Sequence, residues 1–326
     1  MTLADLLDIA DGTVDDDPWP LVRELAAGGD PDLASSARAA FERYVRERNW
    51  YGRDLLAHVL AGLTGADAFP LLLRAFARRD EDDEDGEQLG MAVGRAARAD
   101  RAAARAVVLP LLHDPDPSTR RAALWALDDV YEPSDLATLR EALTDPDPEI
   151  RRTALSSLPA VDTDPQAYAL VLAALRDPDE WVRHHAVLRL AWSAPPAVVD
   201  HLVPLVADPA RCVRSALGQA IGRRAADSDR VPAADAALRV LLADPESAVR
   251  AGAVRGLGLL GVPLDPLRSR LDDPDWWVRA AVAGVLATGL RRWPAGRPLL
   301  RVLSEDTDAT VRATAAAALG DTDDTR

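Results

Sequence analysis

DPDEWVRHHAVLRL, residues 177–190, recurs with small changes along much of the chain. DPDPSTRRAALWAL stands at 114–127, DPDPEIRRTALSSL at 145–158 and DPDWWVRAAVAGVL at 273–286. Aligned on a β-branched residue followed by Arg, seven copies emerge, anchored at Thr119, Ile150, Val182, Val213, Val249, Val278 and Val311. Five positions before each anchor stands an Asp, from Asp114 to Asp306, and six of these seven are followed by Pro. Successive anchors lie 29 to 36 residues apart, the length of one helical hairpin.

The register inside each copy is helical. Four residues after the anchor come Ala123, Ala154, Ala186, Leu217, Ala253, Val282 and Ala315. Eight after it come Leu127, Leu158, Leu190, Ile221, Leu257, Leu286 and Leu319. Apolar residues at this spacing form one buried stripe of an α-helix. In the DPDP copies the second Asp (Asp116, Asp147) is the expected N-cap, with Pro at the first helical position. Shorter apolar segments between the copies, such as AYALVLAAL and AALRVLLA, read as the first helix of each hairpin. One hairpin cannot bury its apolar face alone, so the copies are expected to stack.

Composition agrees. Hydrophobic residues make up 48% of the 326, enough for a large core, and only 5% are aromatic. All 38 basic residues are Arg, against 53 acids, for a formal net charge of −15. That balance disfavours a nucleic-acid partner, which needs a broad basic footprint. No run of about 18 apolar residues suggests a membrane span. The first residues, MTLADLLDIADGTVDDD, carry acids where a secretory signal needs bases, so a cytoplasmic location is expected. The single cysteine, Cys212, excludes an internal disulfide and a cysteine-based zinc site.

The Asp-Pro…Val-Arg…Ala…Leu pattern of 101–321 resembles HEAT repeats, particularly the HEAT-like type first associated with phycobilin lyases. The resemblance implies an all-α fold, an α-solenoid of stacked antiparallel helix hairpins forming a superhelix. It also implies that Asp114 with Arg120, and the six equivalent pairs, form a ladder tying neighbouring repeats together. Bidentate Arg–carboxylate bonds give such a ladder its physical basis. The expected organisation is one solenoid domain over 1–326: degenerate N-terminal repeats over 1–100, seven regular copies over 101–321 and a tail at 322–326. Arg53, Leu56 and Leu60 keep the spacing in the degenerate part. The acidic run RDEDDEDGE at 79–87 reads as a solvated loop.

Sequence motifs for chemistry are sparse. GLGLLG at 256–261 satisfies G-x-G-x-x-G but has no strand before it and no helix opening from it, so the dinucleotide reading is rejected. His184 and His185 are adjacent and point about 100° apart on a helix, which argues against a shared metal ion. Cys212 has no identifiable base, and Trp181, Trp276 and Trp277 read as packing residues. No catalytic, cofactor or metal residue is assigned.

Positions two, six and ten after each anchor share the opposite face of the second helix, which lines the concave side in solenoids of this kind. Here they carry four Arg against two Asp (Asp129, Asp321), leaving +2 on a chain of −15. Arg121, Trp125, Arg152, His184, Leu188, Trp192, Gln219, Arg223 and Arg255 are therefore the candidate partner-binding residues. Trp and Arg are the types most enriched at binding hot spots. The expected function is non-enzymatic binding of a protein or peptide, with an acidic segment favoured. The alternatives are an enzyme on the same scaffold, either a bilin lyase or an alkylpurine DNA glycosylase using Trp125, Trp192 and Asp129, and an accessory protein of peptide or natural-product biosynthesis.

Overall fold

The structure is a computed structural model and describes residues 2–320 except 29, 80–82, 84–85 and 262–263. The expected tail and Asp321 therefore lie outside the described residues, as does most of the acidic run. Among the described residues there are helices and turns and no strand. The protein is an all-α solenoid of helix hairpins, and it divides into two compact units, residues 1–157 and 158–326.

The second helices of the regular copies are Pro117–Val130 and Pro148–Ser157 in the first unit. In the second they are Glu180–Ser193, Arg211–Ala225, Ser247–Leu260, Trp276–Gly289 and Ala309–Gly320. Nineteen of the 21 stripe positions are buried; Thr119 at the first anchor and Leu319 at the last helix end are half-buried. Asp116 caps its helix by accepting from the Ser118 and Thr119 N–H groups, and Asp147, Asp179 and Asp275 do the same for theirs. The first helices vary in length, from Val231–Leu242 and Pro165–Ala174, which begin ahead of their apolar segments, to much shorter ones. In VVDHLVPLV the α-helix runs only Val199–Leu202 and continues as a 3₁₀ turn, because Pro204 has no N–H to donate.

What joins one hairpin to the next is a repeated guanidinium clamp. Arg214 Nε and Nη2 donate to Asp244 at 2.7 and 3.2 Å, while its Nη1 donates to the Asp208 and Pro209 carbonyls at 2.8 and 3.0 Å. Arg120 takes Asp145, Arg183 takes Asp208, Arg250 takes Asp273 and Arg279 takes Asp306 in the same way. The ladder is thus refined from its sequence reading. Each of these five Arg spends its carboxylate bond on the Asp of the following copy, and meets the Asp six positions before it only through the backbone. Arg312 ends the series on the Asp306 and Thr307 carbonyls.

The clamp reaches the degenerate repeats as well. Arg53 is buried and donates to Asp83 at 3.0 Å and to Asp54 at 2.7 Å. Asp83 belongs to the acidic run expected to be solvated, yet it is buried. A carboxylate this deep is tolerable only because Arg53 is there to pair it.

Glycines decide the closest helix contact. A Cβ at Gly222 would stand 2.2 Å from the Gly256 carbonyl oxygen, and one at Gly256 2.1 Å from that of Gly218. The G-x-G-x-x-G segment therefore supplies backbone-to-backbone packing, and its last member, Gly261, closes the helix at φ +75°.

Arg250 and Asp273 are the most buried rung of the second unit's ladder, with side chains 11% and 0% exposed. Arg250→Ala leaves Asp273 buried without its clamp and is expected to cost about 3 kcal/mol, read from urea unfolding; a loss under about 1 kcal/mol would show the rung to be dispensable. Burial pushes the Asp145, Asp208, Asp244 and Asp273 carboxyls up, but Arg and backbone N–H donors more than offset it and hold all four below the usual range. Folded values below unfolded ones mean that the ladder's contribution is complete above the unfolded value of about 3.9 and fades as pH falls through the folded values. Thermal melts should show no ladder-related loss from pH 8 to 5 and a steep drop below about pH 4. A decline centred on pH 6 would point to another group.

Candidate functional site

The ladder arginines have little left to offer a ligand, since each of the five complete clamps uses Nε, Nη1 and Nη2 internally. The arginines two, six and ten positions after the anchors are different. Among the described residues Arg121, Arg223 and Arg255 form no ion pair, whereas Arg152 is neutralised by Glu149 one turn away. Each unit presents its own site on this face.

In the first unit a cleft of about 830 Å³ opens between the helices Phe69–Ala77, Glu87–Ala99 and Pro117–Val130. Arg121 and Trp125 line it, together with Phe76, Arg79, Met91 and Asp129. The Phe76 and Trp125 rings lie 4.4 Å apart, inclined by 31°, and the Arg79 guanidinium lies over the Phe76 ring, 4.7 Å from its centroid. Gly90 and Gly94 form the floor: a Cβ at Gly90 would touch both rings at 3.5 Å, and one at Gly94 would stand 2.8 Å from Asp129 Oδ2. Arg98 pairs with Asp129, so the acid proposed as a glycosylase residue is already engaged.

In the second unit the face is built from the ends of successive helices. Trp192 is 69% exposed and carries the Arg223 guanidinium 4.6 Å above its ring, joining the tenth positions of neighbouring copies. Arg255 lies 5.2 Å from the Trp277 ring centroid. Burial with no carboxylate nearby holds the Arg255 guanidinium below its ordinary value. Gln219, Arg223 and Arg255 also line a second cavity, of about 380 Å³. Leu188 is exposed on the same helix as Trp192.

Two readings from sequence change here. Trp181, Trp276 and Trp277 are not core residues: they are 51%, 42% and 45% exposed. Among the ring contacts of the described residues, Trp181 meets only His184, edge-on, and Trp276 meets Trp277. In the second unit the residue before an anchor borders the second or sixth position of the preceding copy in three cases. His184 Nδ1 thus meets the Cys212 carbonyl at 2.9 Å, Ser215 donates to the Ala248 carbonyl, and Arg255 reaches Trp277. That one register offset would have placed Trp277 on the site. His184, by contrast, spends a ring nitrogen tying two helices together. Burial and the nearby Glu180 push the Cys212 thiol up, the opposite of an activated nucleophile. Among the described residues, no three His, Cys, Asp or Glu side chains are grouped to hold a metal ion, and no helix is long and apolar enough to cross a membrane.

This architecture has known relatives. The sequence profile of HEAT repeats matches residues 72–159, 138–222 and 264–326, and the chain belongs to that family. No curated protein matches it in sequence. Among solved structures it is similar to Kap95p from work on its binding to RanGDP, at 14% identity and a TM-score of 0.61, over 96% of this chain and 48% of that one. It is also similar to importin β in an ammonium sulfate condition, at 17% identity and 0.56, over 89% and 45%. The chain spans about half the length of both. The complex of CpcE and CpcF of phycocyanin lyase from Nostoc sp. PCC7120 aligns more loosely, at 19% identity and 0.42, over 68% and 94%. Likeness at these identities establishes the fold.

A half-buried guanidinium without a counter-ion is a cost to folding that a cation–π contact offsets only in part. Arg255→Met keeps an unbranched apolar side chain and removes the charge, so its melting temperature should equal or exceed that of the unmodified protein. A fall of several degrees in differential scanning calorimetry would show that Arg255 serves stability.

Proposed function

We propose that the protein is a non-enzymatic scaffold that grips a protein or peptide partner along the exposed face of its second helices, and that the segment it takes is acidic. One contrast carries the reading. Every complete ladder Arg has its Asp, while Arg121, Arg223 and Arg255, on the opposite face, have no acid among the described residues. On a chain of −15, with acids in excess, unpaired cations on a face lined with Trp suit an anionic partner. Stacking on Trp192 and Trp277 fixes two of these guanidiniums before any partner arrives, which reduces the side-chain entropy lost on binding. Repeat folds supply extended binding surfaces of this type, and the similar Kap95p structures include complexes with RanGDP and Nup1.

Arg152, His184, Leu188 and Gln219 complete the proposed surface with weaker roles. Arg152 keeps its Glu149 partner, and His184 is partly used by Cys212. Leu188 and Gln219 offer exposed apolar and amide contacts beside Trp192 and Arg223.

A degenerate pool of fluorescent acidic peptides provides the test. It should bind the full chain, and Trp192→Ala with Arg223→Gln should weaken fluorescence anisotropy binding at least 10-fold without changing the far-UV circular dichroism. Raising salt from 50 to 500 mM should weaken it further, because the charges are exposed. Equal affinity in the double variant, or preference for a basic pool, would overturn the reading.

A further inference from the structure

The 380 Å³ cavity of the second unit has an unusual charge inventory. Arg223, Arg255 and Arg292 all line it, and among the described residues no Asp or Glu does. None of the three forms an ion pair among the described residues. Two of them are held by aromatic rings, and the third lies beside a glycine. Arg223 rests on the Trp192 ring and Arg255 on the Trp277 ring. Arg292 lies against Gly261, where a Cβ would stand 2.2 Å from its Nη1. Gly261 is thus constrained twice, by its φ of +75° and by the guanidinium crossing it. The Trp293 ring forms an apolar wall against Gly289, whose absent Cβ would meet it at 2.4 Å.

Three cations around one small space, two of them stacked on Trp rings, call for concentrated negative charge. A run of carboxylates spreads its charge over several residues, more than a cavity of about 380 Å³ receives. A single carboxylate balances one cation and offers two oxygens. A phosphoryl group carries about −1.5 to −2 near neutral pH on three oxygens and accepts bidentate bonds from more than one guanidinium. The Gln219 amide is a further donor on the same wall.

We infer that this cavity, bounded by Arg223, Arg255, Arg292 and Trp293, is a phosphoryl-anion site that receives a phosphorylated side chain of the partner. The inference rests on the peptide-binding reading above and specifies the chemistry it recognises. Arg255 has half its body buried and no acid beside it, so a bound dianion supplies the counter-charge that the fold omits. The stem of a phosphorylated residue would run along Trp293 and Leu259 at the rim.

The full chain is titrated with the same degenerate acidic peptide pool made in three versions, with Ser, phosphoserine or Glu at the centre, and separately with phenyl phosphate. The phosphoserine pool is expected to bind at least 10-fold tighter than either other version. Arg292→Gln should erase most of that preference, with an unchanged melting curve, since Arg292 is exposed and holds no ion pair among the described residues. Phenyl phosphate should compete with the phosphoserine pool for wild type. If the three pools bind equally, the phosphoryl site is overturned while the acidic-peptide reading stands. If phenyl phosphate binds in an Arg292-dependent way and no pool does, the site is supported with a free monoester as its source, and the peptide reading fails. Absence of binding by both the phosphoserine pool and phenyl phosphate overturns the site outright.

Discussion

Each ladder guanidinium is asked to do two things at once, and the whole repeat is arranged around that demand. Its Nη1 must find the carbonyls of the Asp-Pro turn five and six residues before it, and its Nε–Nη2 edge must find the Asp of the next turn. The first requirement fixes the Asp-Pro-to-Arg spacing within a copy. The second fixes how far the next hairpin stands. The Asp in turn accepts an N–H from two residues on, as Asp244 does from Glu246 at 2.9 Å, so the turn is already folded when the Arg arrives. Lys could supply the charge but not the three-sided donor geometry.

The same clamp sorts the charges of the molecule. Ladder acids sit at turns, half-buried or buried, with their charge cancelled by the preceding copy. The opposite face of the second helices is left with Arg121, Arg223 and Arg255, which form no ion pair among the described residues, beside Arg152 with its Glu149. A chain with a strong negative total thus carries local cationic sites, two of them anchored by Trp rings. Net charge is a poor guide to such a surface, because it counts neutralised and free groups alike.

The sequence announces the fold because its repeating unit is short and its rules are local. Stripe positions, N-caps and the Asp-Pro turn all follow from helix period and capping chemistry, and Val182, Ala186 and Leu190 are buried as their spacing requires. The candidate site is legible only in part. Arg121, Trp125, Arg223 and Arg255 fall on the face that the period assigns to them. Trp277 was hidden because it lies one residue before an anchor, on a neighbouring copy, and only the stacking offset brings it to Arg255. Phe76, Arg79, Arg292 and Trp293 lie on first helices or connecting turns, where the copies diverge and no register transfers. Asp83 misled for the opposite reason: its neighbours are acids, but its own partner is 30 residues away.

Arginine without lysine therefore has consequences beyond composition. In this chain the same side chain closes the joints of the solenoid and equips its free face, and what separates the two roles is whether an Asp lies within reach. Arg250 and Arg255 show it on a single helix, one and six positions past the same anchor. Arg250 is nine-tenths buried and stabilised by Asp273; Arg255 is half-buried against an exposed Trp, with no ion pair among the described residues. Desolvating a cation without pairing it works against stability. A fold that supplies a carboxylate to every complete ladder Arg and withholds one from Arg255 leaves that position open to an anion from outside the chain.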